Sequence, residues 1–559
     1  MASTSVEARS PRHDESTPLL RDSNDPNLES HPHFENGYTN TSPPTENGNV
    51  FANDLPQELS PAKLCVVLLA AWVGVFLGAV DTTVITTLLA PISTSFSSFN
   101  SISWIATGYL IANAALQPLF GKITDIYGRK SVLVLCNVLF GVGTLMCGLA
   151  KDQYSMIIGR VIAGAGGGGL MTISSIIATD LVPLRKRGVA QGGGNIAYGA
   201  GAALGGVYGG LIHDWIGWRW VFLLQIPFIV ISAALVLAFV KVPVRKTGEA
   251  RYRRIDYLGS GTLLCALVTL LLALNTGGNT LPWTHPLVMT CLPLSAVFLG
   301  AFSMVELWYA KEPVIPVRLL GNRTVLAVCF TNWFMVMGVF AVYFYAPIYF
   351  ILRGYSSAQA GLRLTPFAIG ISIGSLGAGL IINATGKYYI LGQSVMLTFV
   401  LGVLSVCAFS LTTPLFPQFF DFFMVGSGYG GTLTVSLLAL ISSVDRSEQA
   451  VITSANYAFR STGSTIGTTI GSAIFQNVLV RQLRAHLGSG EEVEGIVRRL
   501  RERFDEFDKL PEVWKRKAAL AYMDALHAVF WTAFGLGVLA FACYTQVREH
   551  KLHKTLDRK

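Results

Sequence analysis

Beyond residue 60 the chain is a succession of long apolar runs separated by short polar stretches. A hydrocarbon core about 30 Å thick is crossed by about 20 consecutive apolar residues in a helix. Runs of that kind predict spans near 64–88, 102–121, 131–150, 155–179, 189–212, 219–240 and 256–275. A second series follows near 286–308, 324–350, 358–382, 390–411, 416–441, 448–479 and 521–546. The expectation is an all-α polytopic membrane protein with fourteen transmembrane helices. Residues 1–60 break the pattern. They are rich in Ser, Pro and Asn, hold almost no apolar cluster, and read as a disordered tail. No basic segment followed by an apolar core opens the chain, so no secretory leader is expected.

Charge orients the spans. Basic clusters follow the second (Lys122, Arg129, Lys130), the fourth (Arg185, Lys186, Arg187) and the sixth (Lys241, Arg245, Lys246, Arg251, Arg253, Arg254). The stretches 89–101 and 276–285 have almost no Lys or Arg. The positive-inside rule then puts the even-numbered loops, both termini and the basic tail 547–559 in the cytosol. The stretch 480–520 is strongly charged on the opposite side, with Glu491, Glu492 and Glu494 beside Arg498, Arg499, Arg501 and Arg503. It is long and mixed in sign, so it weighs little in that rule, and it is expected to form an amphipathic helix lying at the surface.

Composition agrees. Hydrophobic residues make up 52% and charged residues only 13% of the 559, with a mean hydropathy of +0.50. Soluble domains carry about 25% charged residues. The 56 glycines fit helices that pack through small residues. The net charge of +9 sits in short loops between apolar runs, which argues against a nucleic-acid partner. Cys65, Cys136, Cys147, Cys265, Cys329 and Cys407 lie inside apolar segments without metal-ligand spacing, so they read as packing residues, with no metal or cofactor expected.

One string stands out between two apolar stretches: Gly121-Lys-Ile-Thr-Asp125-Ile-Tyr-Gly128-Arg129-Lys130, or G-x-x-x-D-x-x-G-R-K. Two glycines allow a tight reversal, the aspartate can face a helix N-terminus, and Arg-Lys anchors a cytosolic loop. It resembles the loop signature between the second and third spans of major facilitator superfamily transporters. A weak repeat, Gly379-Leu-Ile-Ile-Asn-Ala-Thr-Gly386-Lys387-Tyr388, follows the tenth span in the same way. The implied major facilitator fold has two six-helix halves, 64–240 and 324–546, around an inserted helix pair at 256–308. Such halves rock around a midplane site in alternating access.

Further strings narrow the resemblance. Ile158-Gly-Arg160-Val-Ile-Ala-Gly164-Ala-Gly166 resembles the fourth-span motif of proton-coupled drug antiporters. Asp81-Thr-Thr-Val-Ile-Thr-Thr and Trp218-Arg-Trp-Val-Phe-Leu-Leu-Gln-Ile-Pro227 resemble motifs of the fourteen-span drug:proton antiporter family. Within it, Ser103–Asn113, Gly164–Leu170 and Thr179–Gly188 look like the fungal vacuolar basic amino-acid transporters. Ala202, inside Gly201-Ala-Ala-Leu-Gly205-Gly206, stands where the antiporter motif usually has proline. Glycines there still permit close helix contact, so the departure bears on strict antiport, not on the fold. In the tail, Asp14-Glu15-Ser-Thr-Pro-Leu19-Leu20 resembles an acidic dileucine signal, implying that sorting adaptors read Glu15, Leu19 and Leu20.

Charges inside a bilayer cost roughly 2.5–3.5 kcal/mol on insertion scales and need a reason. Asp81, late in the first span, and Arg160, early in the fourth, fall at similar depth in the non-cytosolic half. A pair between them would stabilise both charges, and a proton on Asp81 would break it, making a coupling switch, with a purely structural ion pair as the alternative. Asn456, Arg460 and Ser464 share one face of the thirteenth span at i, i+4, i+8. Arg460 suits a substrate carboxylate or a structural pairing. Asn113 with Gln117, and Gln191 with Asn195, read as interhelical hydrogen-bonding pairs, and Tyr343, Tyr345 and Tyr429 as packing or cavity aromatics. Resemblance further implies that Arg129 pairs with Asp180 while Asp125 sits at the N-terminus of span 13, gating the cytosolic side together with Gly121 and Gly128.

The reading is a non-enzymatic secondary transporter, with protons, a small-molecule substrate and the lipid bilayer as partners. The expected activity is exchange of vacuolar protons for cytosolic Lys, Arg or His at the vacuolar membrane. A plasma-membrane drug or toxin efflux pump is the alternative. A siderophore importer and a non-transporting sensor are further classes. No G-x-x-x-x-G-K-S/T loop is present, so ATP drive is not expected.

Overall fold

The computed structural model describes residues 60–96, 102–240, 256–277, 281–310, 317–355, 357–445, 448–488, 491–502, 507, 510–550 and 552. The tail residues Glu15, Leu19 and Leu20 lie outside them. The first group of helices is α1 (Pro61–Phe96), α2 (Ile102–Tyr127), α3 (Arg129–Leu149), α4 (Gln153–Leu181) and α5 (Arg187–Ile216). The broken pair α6 (Trp218–Leu223) and α7 (Ile226–Phe239) follows, then the hairpin α8 (Tyr257–Thr276) and α9 (Pro286–Trp308). After the short α10 (Val317–Leu320) come α11 (Arg323–Leu352), α12 (Ser357–Arg363), α13 (Thr365–Thr385) and α14 (Tyr389–Cys407). The chain closes with α15 (Leu415–Ser442), α16 (Gln449–Leu487), α17 (Glu491–Glu502) and α18 (Glu512–Tyr544).

Every apolar window in the sequence coincides with a helix or a broken helix pair. Eleven segments among the described residues are long and apolar enough to cross a membrane. The long helices α2, α5 and α16 are not among the eleven. They are rich in Gly, Ala and polar residues and turn those residues toward protein.

Several boundaries differ from the sequence expectation, each for a local reason. The Gly121–Lys130 string is not a loop. α2 runs through Asp125 to Tyr127, and Gly128 alone makes the turn at φ 90°. Left-handed backbone of that kind suits glycine, which has no Cβ to clash. Gly121 lies inside α2 and serves close approach, since a Cβ there would run into Ser454 of α16. The sixth window breaks between Leu223 and Ile226, ahead of Pro227, and the tenth at Leu364, ahead of Pro366. Proline lacks the N–H that a continuing helix requires and is accepted in a first turn.

The charged stretch 480–520 departs further. α16 continues to Leu487 and α18 begins at Glu512, so both helices extend beyond their expected ends. Between them α17 is amphipathic, but its apolar face is covered by protein. Ile496, Val497 and Leu500 are buried with Phe507 and Tyr522, and the Tyr522 hydroxyl donates to Leu500 O at 3.0 Å. Arg484 and Glu494 pair across this cap, and that contact holds the Glu494 carboxyl below the usual carboxylate range.

The core is divided. One large cluster collects residues from α11 to α18 together with Leu263 of α8 and Phe302 of α9, while two others are built from α1 to α7. The hairpin α8/α9 sits at the seam: Leu271 of α8 packs with Ile111 and Ala114 of α2, Met337 of α11 and Ile466 of α16. Met289, Val297, Met304 and Trp308 of α9 face outward, as lipid-facing positions do.

The topology carries a test. The sequons at Asn40, Asn322 and Asn383 all fall on the face expected to be cytosolic. Asn322 also caps α11, accepting from the Thr324 N–H at 2.9 Å. None of the three is expected to carry glycan. A glycosidase-sensitive mobility shift mapped to any of them would reverse the orientation.

Candidate functional site

A cavity walled by aromatic and polar side chains lies where α1, α2, α4 and α5 meet α11, α15 and α16. It offers about 100 Å³ to the centres of water-sized molecules, where one ordered water needs roughly 10–15 Å³. It therefore holds several waters or a small solute. Hydrogen bonds tie its walls together across the two groups of helices. Ser461 donates to Asn113 Oδ1 at 3.1 Å, which also accepts from Gln117 Nε2 at 2.9 Å. Gln191 Nε2 donates to Asn195 Oδ1 at 3.2 Å, and Asn195 Nδ2 to Ser375 Oγ at 2.7 Å. The amide pairs read from sequence as interhelical thus also line the cavity.

Asp81 and Arg160 meet beside it. Arg160 Nη1 lies 2.6 Å from Asp81 Oδ2, with side-chain exposures of 1% and 0%. Arg160 Nε donates to Ile105 O at 3.3 Å, and the guanidinium stacks 4.4 Å over the Tyr109 ring. Asp81 Oδ1 is buried with no hydrogen-bond partner among the described residues. Tyr109 is itself a wall of the cavity, and Thr82, another wall, reaches its hydroxyl at 3.5 Å. One ring therefore separates the ion pair from the space a solute would occupy.

The shared face of α16 splits. Arg460 and Ser464 line the cavity. Arg460 stacks 4.6 Å over Tyr457, and Tyr429 lines the cavity with it. Asn456 points elsewhere: its Oδ1 accepts from Asn332 Nδ2 at 3.1 Å, in a buried network with Ser436. Of the three tyrosines singled out, only Tyr429 lines the cavity, whereas Tyr343 packs on Phe367 and Tyr345 on Phe475.

At the Gly128 end, Arg129 bridges Asp125 Oδ1 and Asp180 Oδ2, both at 2.7 Å. Burial raises the Asp125 carboxyl above its ordinary range against the pull of Arg129, and neighbouring Asp180 adds to the rise. Two arginines that the sequence reading used only as topology markers bind across the seam here. Arg185 donates from Nε to Asn383 O and from Nη2 to Ala384 O, both at 2.6 Å. It thereby caps the C-terminus of α13, where the helix dipole favours a cation. Arg187 donates to Gln449 Oε1 at 2.9 Å, tying the start of α5 to the start of α16.

Sequence reasoning missed most of the aromatic wall: Trp72, Tyr109, Tyr198, Phe340 and Tyr457. A signal was present for three of them. Tyr109 lies one turn before Asn113, Tyr198 one turn after Asn195, and Tyr457 one turn before Arg460. An aromatic at i±3 or i±4 from a polar intramembrane residue shares its face.

Comparison with known proteins gives a consistent picture. The family model described as Major Facilitator Superfamily matches residues 71–468. The chain is 38% identical over 513 residues to "Multidrug resistance protein fnx1" of Schizosaccharomyces pombe, covering 90% of this chain and 96% of that one. It is 33% identical over 504 residues to "Vacuolar membrane amino acid uptake transporter fnx2" of the same yeast, covering 88% and 86%. Among solved structures, the human organic anion transporter MFSD10 superposes with a TM-score of 0.57 at 14% identity, covering 86% of this chain and 99% of that one. At that identity the likeness speaks for the fold alone.

Proposed function

Because the chain belongs to the Major Facilitator Superfamily, we propose that it is a proton-coupled transporter moving Lys, Arg and His from cytosol to vacuole. In this reading it has fourteen spans, two six-helix halves around the α8/α9 pair, and it exchanges lumenal protons for its substrate. The observation that carries the proposal is the Asp81–Arg160 pair, buried and joined to the cavity through Tyr109. A proton arriving at Asp81 removes the charge that holds Arg160, and the freed guanidinium acts on the ring that shapes the cavity wall. Arg460 takes the substrate carboxylate, for which its planar fork is suited. Asn456 supports the α16 face through Asn332, and Arg129 with Asp125 and Asp180 holds the cytosolic gate beside Gly121 and Gly128.

Uptake of radiolabelled arginine, lysine and histidine into isolated vacuolar vesicles tests this directly. Stimulation by an imposed proton gradient is expected, and its absence for all three would end the proposal. The second reading, drug efflux at the plasma membrane, draws on the 38% identical relative, a multidrug resistance protein. It requires altered drug tolerance with unchanged vacuolar amino-acid pools.

Vacuolar location rests on the tail. Adaptors that read Glu15, Leu19 and Leu20 would route the protein there. Replacing both leucines with alanine is expected to move a fluorescent fusion from the vacuolar rim to the cell surface while transport in vesicles persists. An unmoved fusion would remove the dileucine from the argument.

A further inference from the structure

We infer that the cavity ranks basic amino acids by the planarity of their side chains, histidine first, arginine second and lysine last. The inference rests on the amino-acid reading above and concerns how the far end of the substrate is held. Arg460 is the one charged side chain among the described residues that line the cavity. A carboxylate docked on it satisfies that cation and leaves no acid in the wall for a basic side chain. Asp81 offers none, being fully buried behind Tyr109 and engaged by Arg160.

What the wall does offer, among the described residues, is π faces with an unpaired amide oxygen buried beside them. The rings of Trp72, Tyr109, Tyr198, Phe340, Tyr429 and Tyr457 surround the space. Gln117 spends its Nε2 on Asn113, and its Oε1 is buried with no hydrogen-bond partner among the described residues. A neutral amide oxygen among aromatic faces suits a flat group that donates a single N–H and stacks. Imidazole does this with no charge above its ordinary pKa of about 6.5. Guanidinium is flat, weakly hydrated and stacks well, but brings an uncompensated charge. A lysine ammonium is compact and strongly hydrated, and it would lose its water to a wall with no carboxylate to replace it.

The test is competition for tritiated histidine on the full-length protein in proteoliposomes at pH 7.5. The half-maximal concentration of unlabelled competitor should rise in the order histidine, arginine, lysine, with at least about tenfold between the first and last. Histamine and agmatine, which lack the carboxylate, should each compete at least about tenfold more weakly than histidine and arginine. Arg460→Gln should lower histidine affinity while leaving histamine affinity unchanged, and Arg460→Lys should fall between. The wild-type competition series stands even where a variant fails to fold. Lysine competing as well as histidine, or histamine as well as histidine, would overturn this recognition mode while amino-acid transport survived. Binding of none of the three amino acids would remove both.

Discussion

Vesicles carrying Asp81→Asn are expected to lose the stimulation of uptake by an imposed proton gradient and to keep substrate exchange. Asparagine presents the shape of a protonated aspartate, so the switch is held in one position whatever the pH. The pair it replaces is buried on both sides, at 1% and 0% exposure, with 2.6 Å between the charged atoms. Removing one partner of such a pair typically costs about 3–5 kcal/mol, because the other charge stays buried without compensation. Arg160 retains Ile105 O and the Tyr109 ring in this variant, which softens the loss. Arg160→Ala is expected to be worse. It strips Asp81 of its counter-charge, leaves Oδ1 without a partner as before, and deletes the group stacked on Tyr109. Gradient-driven uptake should then fall to background, with protein still present at the membrane. Wild-type proton dependence in Asp81→Asn would leave the pair a structural one.

Much of this was legible in sequence because bilayer chemistry writes in long words. A 20-residue apolar run has few alternatives to a helix, so the windows and the helices coincide. The polar intramembrane residues were legible for the same reason, since each needs a partner where water is absent. That logic brought out Asp81, Arg160, Arg460 and the amide pairs. It failed where a residue's fate depends on the partner helix. Asn456 and Arg460 share a helical face in sequence, but Asn332 captures the first and the cavity receives the second. Arg185 looked like one more positive-inside marker, and only the folded chain brings it to the carbonyls of Asn383 and Ala384. The Gly121–Lys130 string was misread as a loop because charge suggested solvent, whereas its charges satisfy one another along α2, α3 and α4.

Gly164→Leu should be strongly damaging away from the ion pair, through backbone collision and not through chemistry. A Cβ at Gly164 would sit against Tyr109 O, with Tyr109 C and Cα both at 2.9 Å. Those are backbone atoms of α2, which cannot rotate away as a side chain would, so α2 and α4 must part. Overpacking of a close-packed core typically costs about 1–3 kcal/mol. Here it also displaces function, because α2 carries Tyr109 and α4 carries Arg160. Separating the helices unstacks the guanidinium and reshapes the cavity wall in one movement. The expected result is a lower melting temperature of the purified protein, less of it at the membrane, and loss of uptake in what remains. Gly210→Ala in α5, where nothing lies within 4 Å of the added methyl, should be silent in all three measurements. A Gly164→Leu protein that melts and transports like the wild type would mean that α2 and α4 have slack at Tyr109. The coupling route from Asp81 through that ring to the substrate would then lose its rigid support.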